Sequence, residues 1–141
     1  MTTHNWQKNA ENATLCVRNF IDGQYSDCLG DDSISKYSPR DGSLLYTFAC
    51  GNGAEVEQAV VSARQAFEDG RWSGLSFRER KTVLYKLADL IEEHKDTFAL
   101  YESLDVGKTI SEALMDDIPS AAGLLRHAAE GADKVLAGMG V

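Results

Sequence analysis

The stretch SLDVGKTISEA, residues 103–113, contains Gly107-Lys108-Thr109, the ending of a nucleotide phosphate loop. In such a loop (Gly-x-x-x-x-Gly-Lys-Thr) the first glycine lets consecutive backbone N–H groups curl toward the phosphates. That position holds Glu102, a bulky anion. A buried strand should also lead into the loop, yet the preceding residues set Phe98, Tyr101 and Leu104 at helical spacing. The same letters read consistently as a helix over 95–105 stopped by a left-handed cap at Gly107, with Lys108 as a cation near the negative helix end.

Working outward, a last helical region over 110–136 carries Leu114, Ile118, Ala122, Leu125, Ala129 and Ala132 on one side, with Pro119 marking a restart or kink. Upstream, Ser76 and Glu79 form a capping box for a helix with a stripe of Phe77, Leu84, Leu87 and Ile91, reaching about His94. Before it, Asn52 and Glu55 resemble a second capping box. Its helix carries Val56, Ala59, Val60, Ala63 and Phe67 on one face and stops near Gly70. Two hairpins precede these helices. Asn19–Ile21 and Gln24–Ser26 flank Asp22-Gly23, while SISKYS and SLLYTFAC flank Pro39-Arg40-Asp41-Gly42. Residues 1–16 are polar and mixed and read as a flexible or locally helical arm.

The chain has 141 residues, 43% of them apolar, which suits one folded domain rather than disorder. A formal net charge of −8 disfavours nucleic acid and anionic membrane as partners, since both recruit clustered Lys and Arg. There is no secretory signal pattern and no membrane-spanning apolar run, so the cytoplasm is expected. Cys16, Cys28 and Cys50 lack C-x-x-C spacing, and His4, His94 and His127 are scattered singly, so neither a disulfide framework nor a zinc site is indicated. Gly51-Asn52-Gly53 offers G-x-G between a strand and a helix, but Val56 occupies the third glycine position of a dinucleotide fingerprint. A hairpin-paired strand also replaces the parallel crossover such a unit needs. Asp116-Asp117 point in different directions on a helix and read as a cap and a solvent contact rather than a catalytic pair.

Taken in order, NFIDGQY, YSPRDGSLL, the long EVEQAVV…LIEEH run and ALYESLDVGKTISEALMDDIPSAAGLLRHAAEGADKV resemble the N-terminal portion of the NAD(P)-dependent aldehyde dehydrogenases. The resemblance covers nearly everything after Val17. It is carried by Trp72, the cap at Ser76 to Arg80, and Leu104-Asp105-x-Gly107-Lys108, with Thr109 where the family usually has proline. LMDDIPSAA is similar in particular to bacterial enzymes acting on γ-glutamyl-γ-aminobutyraldehyde and related aminoaldehydes.

The resemblance implies an α+β fragment of an α/β enzyme: N-terminal hairpins, then about four amphipathic helices that pack on a Rossmann-like sheet supplied elsewhere in the polypeptide. Residues 17–141 are then an incomplete part of the cofactor-binding domain, and their helical stripes are left uncovered in isolation, which favours self-association, partner exchange or partial disorder. The resemblance further implies a homo-oligomer oxidising an aldehyde with NAD or NADP through a cysteine thioester. No catalytic or cofactor-binding residue transfers onto this chain, and no cofactor is expected on it alone. Asp116 and Ser120 match the family's substrate entrance, where an acidic Asp116 could attract a cationic aminoaldehyde. Tyr37, through its carbonyl, and Asp105 match positions sharing a monovalent cation in some members. The alternatives are a solvated helix-start carboxylate for Asp116 and a helix-end aspartate bonded to backbone for Asp105. A stand-alone α+β module binding a protein through its helical face is the rival to the enzyme reading.

Overall fold

The computed structural model describes residues 5–131 and residue 134. The chain divides into two compact units, Asn12–Ser73 on one side and Met1–Glu11 with Gly74–Val141 on the other.

In the first unit, β1 (Asn19–Ile21) and β2 (Gln24–Ser26) form an antiparallel hairpin with Phe20 opposite Tyr25. Asp22 and Gly23 both take positive φ, 52° and 74°, the double left-handed turn that a two-residue hairpin requires. β3 (Ser33–Tyr37) and β4 (Leu44–Ala49) make the second hairpin, closed by Ser38 N–H to Ser43 C=O at 2.8 Å. α2 (Gly53–Glu68) starts at the expected box: Asn52 Oδ1 accepts from the N–H groups of Ala54 and Glu55, and the Glu55 carboxylate accepts from the Asn52 N–H.

In the second unit, the helices are α1 (Trp6–Glu11), α3 (Phe77–Glu93), α4 (Lys95–Val106), α5 (Ile110–Glu112) and α6 (Ile118–Gly131). α1 falls within the expected arm and lies against α4. α3 opens with the Ser76–Glu79 capping box. A small core joins Ala99, Ala113 and Ile118, with Ile91, Ile110 and Leu114 packed against it. α3 lies along α6, and both bury alanines there, Ala88 from α3 and Ala122 and Ala129 from α6, whose small side chains let the axes approach. Polar clasps fix the pairing: Arg126 donates to Glu92 at 2.8 and 2.9 Å and to Asp89 at 2.7 Å, while Glu130 accepts from the Tyr85 hydroxyl and pairs with Lys81, each at 2.6 Å.

Within the region over 110–136 the expected interruption near Pro119 takes the form of a π-helix: between α5 and α6 the turn Ala113–Asp117 is widened, and the Ile118 N–H bonds to the Ala113 C=O. Ala132 lies outside the described residues. The apolar stripe of α2 is uncovered, as expected of these residues in isolation, with Val56, Val60 and Phe67 60%, 57% and 68% exposed, and the buried residue of that helix is Glu55. Phe77, Leu87, Phe98 and Tyr101 are likewise exposed on α3 and α4. The physical reason is the absence of a partner layer: the described strands form two separate two-stranded ribbons, which supply no sheet face broad enough for helices to pack on.

Candidate functional site

The corner that follows α4 settles the reading of Gly107-Lys108-Thr109. The backbone of Glu102 to Val106 belongs to α4, so its N–H groups are engaged along the helix and do not curl around an anion. Gly107 is left-handed (φ 86°, ψ 9°), and its N–H closes the helix on the Ser103 C=O at 3.1 Å. The Ser103 hydroxyl then donates to the Lys108 C=O at 2.8 Å. Thr109 caps the next helix, its Oγ1 accepting from the Glu112 N–H at 3.2 Å. Glycine, lysine and threonine are therefore a stop, a tether and a start.

The tether is the feature that the sequence did not disclose. Lys108 Nζ donates to both carboxylate oxygens of Asp117, at 2.7 and 2.8 Å, and this hydrogen-bonded ion pair raises the Lys108 pKa above its ordinary value. Asp117 is thus an ion-pair partner and not a cap or a solvent contact, and Lys108 reaches beyond its own helix end. The pair spans nine residues across a turn, a spacing that no helical or strand period announces. Asp116, one position earlier, is exposed. Ser120 lies one turn on, and its hydroxyl donates to Asp116 Oδ1 in a long 3.4 Å contact. The structure therefore brings together the two residues matched to the substrate entrance, on the surface at the junction of the π turn and α6.

The other candidates are placed as follows. Tyr37 ends β3 opposite Leu44, just past a register irregularity between Lys36 and Tyr37, and is exposed. Asp105 is half-buried in the last turn of α4. They belong to different units.

At Gly51-Asn52-Gly53 the chain does not fit a dinucleotide. The first N–H groups of α2 point at the Asn52 side chain, where a pyrophosphate would need them free. Glu55 occupies the mouth of the turn, accepting from Asn52 N–H at 2.9 Å, Leu29 N–H at 2.9 Å and Asn19 Nδ2 at 2.7 Å. The backbone donors of Asn52 and Leu29, in that order, hold its carboxyl below the usual range. Glu55 thus ties β1 and the segment after β2 to α2. The capping box was legible in the sequence, but the reach to Asn19 and Leu29 was not.

Comparison with known proteins agrees with this geometry. The model of the aldehyde dehydrogenase family matches residues 27–140. The chain belongs to the aldehyde dehydrogenase family. It is 41% identical over 130 residues to the NADP/NAD-dependent aldehyde dehydrogenase PuuC of Escherichia coli, covering 92% of this chain and 26% of that protein. It is 44% identical over 121 residues to the aminoacetaldehyde dehydrogenase of Pseudomonas aeruginosa, covering 86% of this chain and 24% of that one. Among solved structures, the γ-glutamyl-γ-aminobutyraldehyde dehydrogenase of Burkholderia cenocepacia superimposes with a TM-score of 0.85 at 41% identity, over 92% of this chain and 26% of that one. The chain thus spans about a quarter of the length of these relatives. That proportion accounts for the uncovered stripes as faces belonging to a larger aldehyde dehydrogenase fold.

Proposed function

We propose that this chain is the N-terminal scaffold of an NAD(P)-dependent aldehyde dehydrogenase that oxidises an aminoaldehyde, such as γ-glutamyl-γ-aminobutyraldehyde, to the carboxylic acid. Support for the substrate class comes from two of this chain's relatives, the aminoacetaldehyde and γ-glutamyl-γ-aminobutyraldehyde dehydrogenases. In this reading the nucleophilic cysteine, the water-activating glutamate and the nicotinamide site lie on further polypeptide. Cys16, Cys28 and Cys50 serve no catalytic role, and the chain alone does not turn over. A cytoplasmic homo-oligomer completes the proposal, and among the described residues no helix is long and apolar enough to cross a membrane.

The observation that carries the entrance reading is the contrast between two adjacent carboxylates. Asp117 is neutralised by Lys108, whereas Asp116 is exposed beside Ser120. An exposed carboxylate attracts an ammonium group arriving from solvent by simple Coulomb attraction. Tyr37 and Asp105 are proposed, on the family match alone, to contribute oxygen ligands to a monovalent cation, for which hard donors are suited. In the full-length enzyme, Asp116→Asn should lower kcat/KM for a cationic aminoaldehyde relative to a neutral aldehyde of equal length. An unchanged ratio would remove Asp116 from the entrance.

A further inference from the structure

The π turn Ala113–Asp117 needs a restraint to hold it. Pro119 lies in the first turn of α6, where a missing N–H is tolerated, so it marks the interruption without dictating the turn before it, in which Ile118 N–H reaches Ala113 C=O. A widened turn is rare, and such turns recur at functional sites. Here it is pinned at both ends. At its start, Ala113 N–H bonds to Thr109 C=O at 3.1 Å and Thr109 caps the helix; at its end, Asp117 is gripped by Lys108. Lys108 is itself fixed by the left-handed corner at Gly107 and by the Ser103 hydroxyl on its carbonyl.

We infer that Lys108 is a positioning residue: its two-pronged grip on Asp117 holds the π turn in register and so aims the neighbouring Asp116 carboxylate outward beside Ser120. The functional half of this inference rests on the entrance reading proposed for Asp116. Successive helical residues are about 100° apart around the axis, so a one-residue change of register swings Asp116 away by about that angle. The grip on one carboxylate thereby decides where the other points.

The experiment compares Lys108→Met, Lys108→Arg, Asp116→Asn and the Lys108→Met/Asp116→Asn double variant of the full-length enzyme, with Asp117→Asn introduced wherever Lys108→Met is, so that no unpaired carboxylate is left beside the entrance. Crystal structures of Lys108→Met and the parent enzyme accompany the kinetics. The kinetic readout is the ratio of kcat/KM for a cationic aminoaldehyde over that for a neutral aldehyde of equal length. Lys108→Met should let Ile118 N–H re-pair with Leu114 C=O, and should lower the ratio roughly fivefold, the factor that attraction between unit charges at contact supplies in water. The drop should appear in KM for the amine. Lys108→Arg, which keeps the charge and reach, should recover most of it, and the double variant should add nothing to Asp116→Asn alone. An unaltered π turn in Lys108→Met, or an unaltered ratio where Asp116→Asn lowers it, overturns the inference. If Asp116→Asn itself leaves the ratio unchanged, the entrance reading fails, and the tether then stands or falls on the register seen in Lys108→Met.

Discussion

Replacing Gly107 by alanine tests the helix-stop assignment of the Gly-Lys-Thr corner by the sign of its effect. In a helix interior, alanine is more favourable than glycine by about 0.8–1.0 kcal/mol, so the substitution would stabilise. At φ 86° and ψ 9° the opposite holds. An L-residue in the left-handed region costs roughly 1–2 kcal/mol, partly offset by about 0.4–1 kcal/mol from the smaller entropy of the unfolded chain. The net is a loss of about 1 kcal/mol, while the Gly107 N–H to Ser103 C=O bond is available to either residue. Urea unfolding followed by far-UV circular dichroism, at two protein concentrations to exclude association, reads this directly. With m of about 2 kcal/mol/M, the midpoint should fall by about 0.5 M with the slope unchanged. Gly107→Asn should fall less, because asparagine visits the left-handed region more readily. A midpoint that rises with alanine, or falls further with asparagine than with alanine, would refute the helix-stop assignment.

Two other predictions concern the hairpin unit. A Cβ on Gly30 would sit 2.2 Å from the Cys50 carbonyl oxygen, which already accepts the Gly30 N–H at 3.0 Å, so Gly30→Ala must push two backbones apart. Overpacking of this kind costs typically about 1–3 kcal/mol, and the loss should appear as a lowered unfolding midpoint together with loss of protection of the Gly30 amide in hydrogen exchange. An unchanged midpoint would mean that the approach is not as close as described. In the second hairpin, Asp41 accepts from the Ser43 N–H at 3.0 Å and the Ser43 hydroxyl at 2.7 Å, which lowers its pKa from 3.8 to about 2. A depressed folded-state value means that the stabilisation is fully present above the unfolded pKa of 3.8 and is lost as the pH falls toward 2. Carboxyl NMR titration should find Asp41 well below the ordinary aspartate value of 3.8, and Asp41→Asn should flatten the pH dependence in that window. An ordinary Asp41 titration would contradict this.

Much of the backbone was legible because its signals are local. Asp22-Gly23 specified a turn that needs two positive φ values, and the Asn52–Glu55 and Ser76–Glu79 boxes marked the starts of α2 and α3. The end of α4 at Gly107 followed from the same kind of reasoning. What escaped depends on residues distant in the chain or outside it. The stripe Val56, Val60 and Phe67 has the right period for burial, and its lack of a covering layer followed from the family resemblance rather than from the period. Glu55 reads as one half of a capping box, yet its remaining acceptor capacity goes to Asn19 and Leu29, residues brought near by the hairpin. Pro119 signalled an interruption, and the form it takes, a widened turn held by Lys108 and Asp117, arises from tertiary contact. The Asp116–Ser120 pairing was readable from helical spacing because the four-residue step from the π turn into α6 still puts both on one face.

The central claim is that this chain is scaffold for aldehyde oxidation carried out on further polypeptide. The most direct test is to purify the natural gene product, record its intact mass, and follow reduction of NAD+ and NADP+ with an aminoaldehyde, beside residues 1–141 alone. The account predicts a product several times heavier than 15.4 kDa that reduces cofactor only when aldehyde is present, and no turnover by the 141-residue chain. A natural product of 15.4 kDa, or cofactor reduction by residues 1–141 alone, would contradict it.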